Sequence, residues 1–139
     1  MTVLLDTNIL SELRKGSQAN ANVRAWATSV DPDDRFTSIM CVAELMKGAQ
    51  LRGRKDAGGG AALERWIGLV VADFDQRILP VDLAVSSVWA RLMAQRSRPP
   101  IDALIAATAI AHGCTLVTRN VADFEGTGAI LFNPWTFAG

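Results

Sequence analysis

Apolar residues fall along this chain in two alternating patterns. Val3, Leu4 and Leu5 follow one another without a polar break. Such a run reads as a strand covered on both faces, as at the centre of a parallel sheet. Ile9, Leu10 and Leu13 then recur at helical spacing up to Gly16. A second helix is predicted from Asn20 to Val30, with Val23, Trp26, Ala27 and Val30 on one face, and Asp31 to Asp34 form a turn. Short strands are predicted at Arg35 to Thr37, Arg77 to Val81, Thr115 to Thr118 and Ala129 to Phe132, the second weakened by Pro80.

Helices lie between them. Ser38 is a predicted N-cap for a helix carrying Val42, Ala43, Leu45 and Met46. Leu63, Trp66, Ile67, Val70 and Phe74 mark the next, and Asp82 caps one with Val85, Val88, Trp89, Leu92 and Met93. Pro100 suits the first turn of an Ala-rich helix from Ile101 to Ala111, which Gly113 ends. Gly53 to Gly60 is polar and glycine-rich and predicts a surface loop. Strands alternating with helices, without an internal repeat, argue an α/β fold with a parallel sheet and helices on both faces.

Length and composition fit one domain over residues 1–139. Fourteen basic residues balance fourteen acidic ones, so any nucleic-acid contact must come from a local patch rather than a global field. No stretch of 18 apolar residues predicts a membrane span. The first residues lack the basic region of a signal peptide, and Cys41 and Cys114 fit neither a disulfide framework nor a zinc spacing, so a reduced, cytoplasmic setting is expected. With His112 the single histidine, multi-histidine metal sites are excluded, and its place near a helix end suits a partner for the helix dipole.

The candidate chemistry is carboxylate chemistry. Asp6 ends the first strand, where open α/β sheets place ligands; capping of the following helix is the competing role. Asp102 is the one charge in an otherwise apolar helix, so it must cap, pair with a base or meet a cation. Glu44 lies two turns into its helix, beyond capping, with Lys47 available as an ion-pair partner at i+3. Asp123 follows the strand at 115 to 118. Three of these acids fall at or near the carboxyl edge of a parallel sheet, and Asp102 joins them only if its helix begins there. Converging carboxylates without histidine favour Mg²⁺ or Mn²⁺ and suit phosphodiester hydrolysis. Arg119 lies beside them, with a phosphate or an ion pair to Asp123 or Glu125 as equal alternatives. Asn8 and Asn120 are candidates to orient the acids. Trp26, Trp66, Trp89 and Trp135 read as core or interface anchors, and Lys47, Arg52, Arg54 and Lys55 as a solvated face.

The segments LLDTNILSE (Leu4 to Glu12), AELMKG (Ala43 to Gly48), PPIDALIAATAIAHG (Pro99 to Gly113) and LVTRNVADFEGTG (Leu116 to Gly128) resemble the PIN-domain ribonucleases, especially the VapC-type and FitB-like toxins of toxin–antitoxin pairs. The resemblance implies strand order 3-2-1-4-5 and a helix 101 to 111 that begins at the carboxyl edge. It also implies a divalent-metal site at Asp6, Glu44, Asp102 and Asp123, RNA cleavage, and inhibition by a VapB-type antitoxin. Cys41 departs from the family pattern, where Thr is usual, and a thiol is the weaker hydrogen-bonding group. A PIN-fold binding module without cleavage, or a nuclease or phosphatase acting on a non-RNA substrate, would use the same fold. Leu45, Met46, Leu51, Leu63, Trp66 and Ile67 are more than one sheet can cover, which, with the resemblance, predicts a homodimer.

Overall fold

A computed structural model of the chain describes residues 1–139. The run Val3–Leu5 is strand β1, and its side chains are buried throughout. β1 pairs in parallel with β2 (Arg35–Ser38) on one side and β4 (Thr115–Val117) on the other. β3 (Ile78–Leu79) and β5 (Leu131–Phe132) form the two edges, in the order β3-β2-β1-β4-β5. Every pairing is parallel, so all strands end at one edge of the sheet, with β1 at its middle. β3, β4 and β5 are shorter than the apolar patterns suggest, whereas β2 runs one residue further, to Ser38. Pro32–Asp34 and Asp75–Arg77 tighten into 3-10 turns directly before β2 and β3.

The helices are α1 (Thr7–Arg14), α2 (Ala21–Ser29), α3 (Ile39–Lys55), α4 (Ala57–Phe74), α5 (Leu83–Gln95) and α6 (Pro100–His112). Their starts follow the side-chain chemistry. Asn20, Ser38 and Asp82 each accept hydrogen bonds from the first free backbone N–H groups of α2, α3 and α5. Gly113 closes α6 at φ 65°, in the left-handed region that glycine enters without strain. Leu4, Ile9, Val42, Leu92, Ile105 and Leu116 are wholly enclosed in the core between sheet and helices. No helix is long and apolar enough to cross a membrane.

The glycine-rich stretch from Gly53 to Gly60 is helical, contrary to its composition. α3 continues to Lys55, Asp56 alone connects the two helices, and its carboxylate caps α4 through the Gly59 N–H. The glycines serve packing rather than flexibility. A Cβ on Gly60 would lie 2.5 Å from the Cα of Gly53 and 3.1 Å from the Ala49 carbonyl oxygen, both backbone atoms. The helices therefore touch main chain to main chain. Gly60→Ala is expected to cost about 1–3 kcal/mol by overpacking. A Cβ on Gly53 meets nothing nearer than 3.9 Å, so Gly53→Ala should be neutral or gain up to about 1 kcal/mol of helix propensity. Urea midpoints of the two variants check this contrast.

Two helices, not one, link β3 to β4. α5 and α6 pack on each other, and the short segment between them is tied down by arginines. Arg96 donates to the Glu125 carbonyl at 2.9 Å and Arg98 to the Gly126 carbonyl at 3.3 Å, both just past β4. This anchors the start of α6 beside the carboxyl edge of the sheet and carries Asp102 there.

Candidate active site

Asp6 leaves the end of β1 into the edge where the strands terminate. Its N–H donates to the Val117 carbonyl of β4 at 3.0 Å, which continues the ladder one residue beyond the strand. Its carboxylate is buried and accepts from four donors. Thr7 N–H lies 2.8 Å from Oδ1 and the Cys41 thiol 3.8 Å from the same oxygen. Thr118 Oγ1 lies 2.8 Å and Asn8 Nδ2 3.3 Å from Oδ2. Asp6 thus caps α1 and faces the cleft at once, so its two candidate roles coexist. Burial raises its carboxyl above the ordinary range, against the four hydrogen bonds that lower it.

The support reaches one layer further. Thr118 Oγ1 also accepts from Asn8 Nδ2 at 3.2 Å and from Asn120 N–H at 3.1 Å. Asn8 Oδ1 accepts from the Arg119 N–H at 3.2 Å. Thr118 is the functional residue that the sequence pattern hid, because it reads as the last residue of a strand. Its position just past β4, beside β1, is the signal that identifies it. Asn8 takes the orienting role foreseen for it, whereas Asn120 contributes through its main chain.

Glu44 is exposed on α3, and its Oε1 accepts from Thr7 Oγ1 at 2.8 Å. The ion pairs present are Met1–Asp34, Glu12–Lys15 and Arg52–Asp56, so the pairing of Glu44 with Lys47 does not form. Asp102 is half-buried in the first turn of α6 without capping it, and its carboxylate has neither a hydrogen-bond donor nor a basic partner. Burial first, then the charges of Asp6, Asp123 and Glu44, push its carboxyl above the ordinary range. Asp123 is exposed in the turn after β4 and reaches the group through this field. Arg119 pairs with neither Asp123 nor Glu125; its guanidinium lies over the Trp135 ring, 4.8 Å from the centroid.

Asp6, Glu44 and Asp102 line one cleft of about 450 Å³ together with Thr7, Asn8, Ser11, Glu12, Lys15, Arg119, Asn120 and Trp135. An apolar hollow of about 510 Å³ between Trp26, Ile130 and Phe137 lies at the other end of β1 and holds none of these acids. No three carboxyl groups close into a ready-made metal cage. The donor set nevertheless fits a hard divalent ion. Mg²⁺ keeps several waters and needs only one or two carboxylates. Unpartnered like charges beside a buried acid call for positive charge.

The PIN domain family model matches residues 3–128. The chain is 37% identical to the VapC ribonuclease Y4jK of Sinorhizobium fredii over 140 aligned positions, covering 96% of this chain and 97% of that protein. The crystal structure of FitAcB from Neisseria gonorrhoeae superposes with a TM-score of 0.87 at 32% identity, covering 98% of this chain and 100% of the other. A toxin–antitoxin complex from Klebsiella pneumoniae superposes with a TM-score of 0.72 at 25% identity, covering 96% and 98%.

Proposed function

The chain belongs to the PIN-domain family, and on that premise we propose that it is the toxin of a VapBC-type toxin–antitoxin pair. It is an endoribonuclease that hydrolyses RNA phosphodiester bonds with Mg²⁺ or Mn²⁺, and a VapB-type antitoxin is its partner. The observation that carries this reading is Asp102. A half-buried carboxylate with no donor, surrounded by the field of three other acids, is a site built for a cation and a phosphate rather than for structural support.

Asp6, Glu44, Asp102 and Asp123 are the residues that would hold the ion. Bound there, it supplies charge to the phosphodiester oxygens and lowers the pKa of an attacking water. The protein's own contribution is orientation. Thr118, Asn8, Cys41 and the Thr7 N–H fix Asp6, and Thr7 Oγ1 aims Glu44. Arg119 takes a substrate phosphate, for which its unpaired guanidinium fork is suited.

The test is purified protein incubated with RNA, DNA and phosphate esters, in Mg²⁺, in Mn²⁺ and in EDTA. RNA alone should be cut, and EDTA should abolish cutting. RNA binding without cutting would make the chain a binding module. Hydrolysis of DNA or simple esters would reassign the substrate.

The toxin chain acts in the cytoplasm as a homodimer. Of the apolar residues first set aside for an interface, Leu45 and Ile67 are buried, and Leu63 and Trp66 pack against the core between α3 and α4. Met46 and Leu51 remain about half exposed, and Ile39 and Ile101 are also exposed. Leu51 and Ile101 line a hollow that shares Thr7 and Glu44 with the acidic cleft, so a partner there would sit beside the site. Light scattering at micromolar concentration should give a dimer mass that Leu51→Glu halves.

A further inference from the structure

We propose that Arg119 and Trp135 form a stacked platform that holds the base of the nucleotide next to the scissile phosphate. This deepens the ribonuclease reading and rests on it.

The cleft is lined by two chemically distinct sets of residues. Asp6, Glu44 and Asp102 are acids, and Lys15, Arg119 and Trp135 add positive charge and an aromatic ring. Trp135 is the only hydrophobic residue of the lining. An indole in an otherwise polar cleft requires a reason. Burying it in the core is not the whole reason, because it is only half-buried.

Its position is closely fixed. The Trp135 backbone N–H donates to Asn133 Oδ1 at 2.9 Å, and its backbone carbonyl accepts from Asn22 Nδ2 of α2 at 2.7 Å. Part of the side chain packs against the hydrophobic core. Arg119 sits over the ring, and its own backbone is tied to Asn8. The indole therefore sets the place of a guanidinium whose chain would otherwise be free.

Glu12 feels the charge of Arg119 but forms no ion pair with it. Glu12 Oε1 accepts from Lys15 Nζ at 2.9 Å, and Oε2 accepts from the Asn20 N–H at 2.8 Å. Both oxygens are engaged, and the Arg119 side chain makes no ion pair of its own. A guanidinium held over an indole keeps its edge donors free for a phosphate oxygen. Guanidinium planes and aromatic rings are also the surfaces on which unpaired bases stack, and a base inside a duplex is not available for this. Phosphate binding alone would not need the indole; the pair supplies both charge and a stacking surface.

The test uses the full-length chain. Binding of a fluorescein-labelled single-stranded RNA 12-mer is followed by anisotropy in the cleavage-deficient Asp6→Asn background. Cleavage of the same RNA is followed in the otherwise wild-type protein. Arg119→Ala and Trp135→Leu should each weaken binding about tenfold, with the loss in cleavage falling mainly on KM. Trp135→Phe should restore most of the binding. Arg119→Lys, which keeps the charge but not the plane, should not. The double variant Arg119→Ala/Trp135→Leu should be little worse than either single variant, because the two side chains act as one unit. Binding of a duplex of the same sequence should be unchanged by Trp135→Leu and weakened by Arg119→Ala only as far as the lost charge requires. Additive losses, full rescue by Arg119→Lys, or unchanged binding in a folded Trp135→Leu would overturn the platform. RNA that neither binds nor is cut by any form of the protein would instead remove the ribonuclease reading beneath it.

Discussion

Asp102→Asn stops RNA cleavage and at the same time makes the metal-free protein harder to unfold. The loss should be at least about 10²–10³-fold, the scale of removing one preorganised electrostatic group from an active site. The gain follows from the sign of the perturbation. The Asp102 carboxyl is held above its ordinary value of 3.8 by burial and by three neighbouring acids. Folding therefore favours its protonated form. That contribution is complete below 3.8, is lost as the pH rises through the raised value, and leaves the ionised group a net burden at neutral pH. An amide of the same shape carries no charge and meets no donor to lose. Solvent screens a half-exposed group, which limits the gain to no more than about 1 kcal/mol, or about 3–5 °C in Tm. Thermal melts in EDTA should show the variant above the wild type at pH 7 and the two converging towards pH 4. Mg²⁺ should raise the wild-type Tm more than that of the variant. A variant that is less stable than the wild type in EDTA would mean that Asp102 is a structural residue.

Asp6→Asn also removes cleavage, by a similar factor, but its stability moves the other way. Both Asp6 oxygens accept, and four donors converge on them. An asparagine places an N–H₂ group where one of those oxygens stood and faces it against donors. Thr118 can rotate its hydroxyl, but the Thr7 N–H cannot, and Asn8 cannot turn without losing the Arg119 N–H. At least one buried donor is left without a partner, at a cost of about 1–2 kcal/mol, which outweighs the relief of removing a charge whose burial raises the carboxyl. Circular dichroism should show a folded protein with a lowered melting temperature. Full activity with unchanged Mg²⁺ dependence would remove Asp6 from the site. The opposite stability signs of two substitutions with the same chemistry are the sharper test. They separate an acid embedded in a hydrogen-bonded frame from one held only against its neighbours.

Much of this arrangement is legible before any coordinates. An unbroken apolar run followed by Asp-Thr-Asn identifies the central strand and the acid at its end. Alternation of strand and helix predicts the sheet, and the motif resemblance predicts its order. The place of Asp102 is not legible in the same way. A single crossover helix leads from the carboxyl edge back to the amino edge, and its start is near the acids only if nothing precedes it. The paired helices α5 and α6, pinned by Arg96 and Arg98 to carbonyls beyond β4, bring the start of α6 back to that edge. Such tertiary hydrogen bonds leave no periodic mark in sequence. The same holds for the glycines at 53 to 60, whose composition signals a loop while their role is close helix contact. Trp135 packs partly against the core, as its aromatic character suggests, but its place in the cleft is not legible, because its neighbours there come from residues far away in the chain.

The thiol of Cys41 has a practical consequence. It is fully enclosed, donates to Asp6, and is pushed up to about 11 by burial and by that carboxylate. A protonated, inaccessible sulfur does not react with alkylating reagents until the surrounding structure opens. The labelling rate of Cys41 at neutral pH therefore counts excursions in which β1 and α3 separate around Asp6. The chain carries its own clock for the breathing of its acidic centre, readable by mass spectrometry of the alkylated protein without any engineered residue, and any ligand that binds there should slow it.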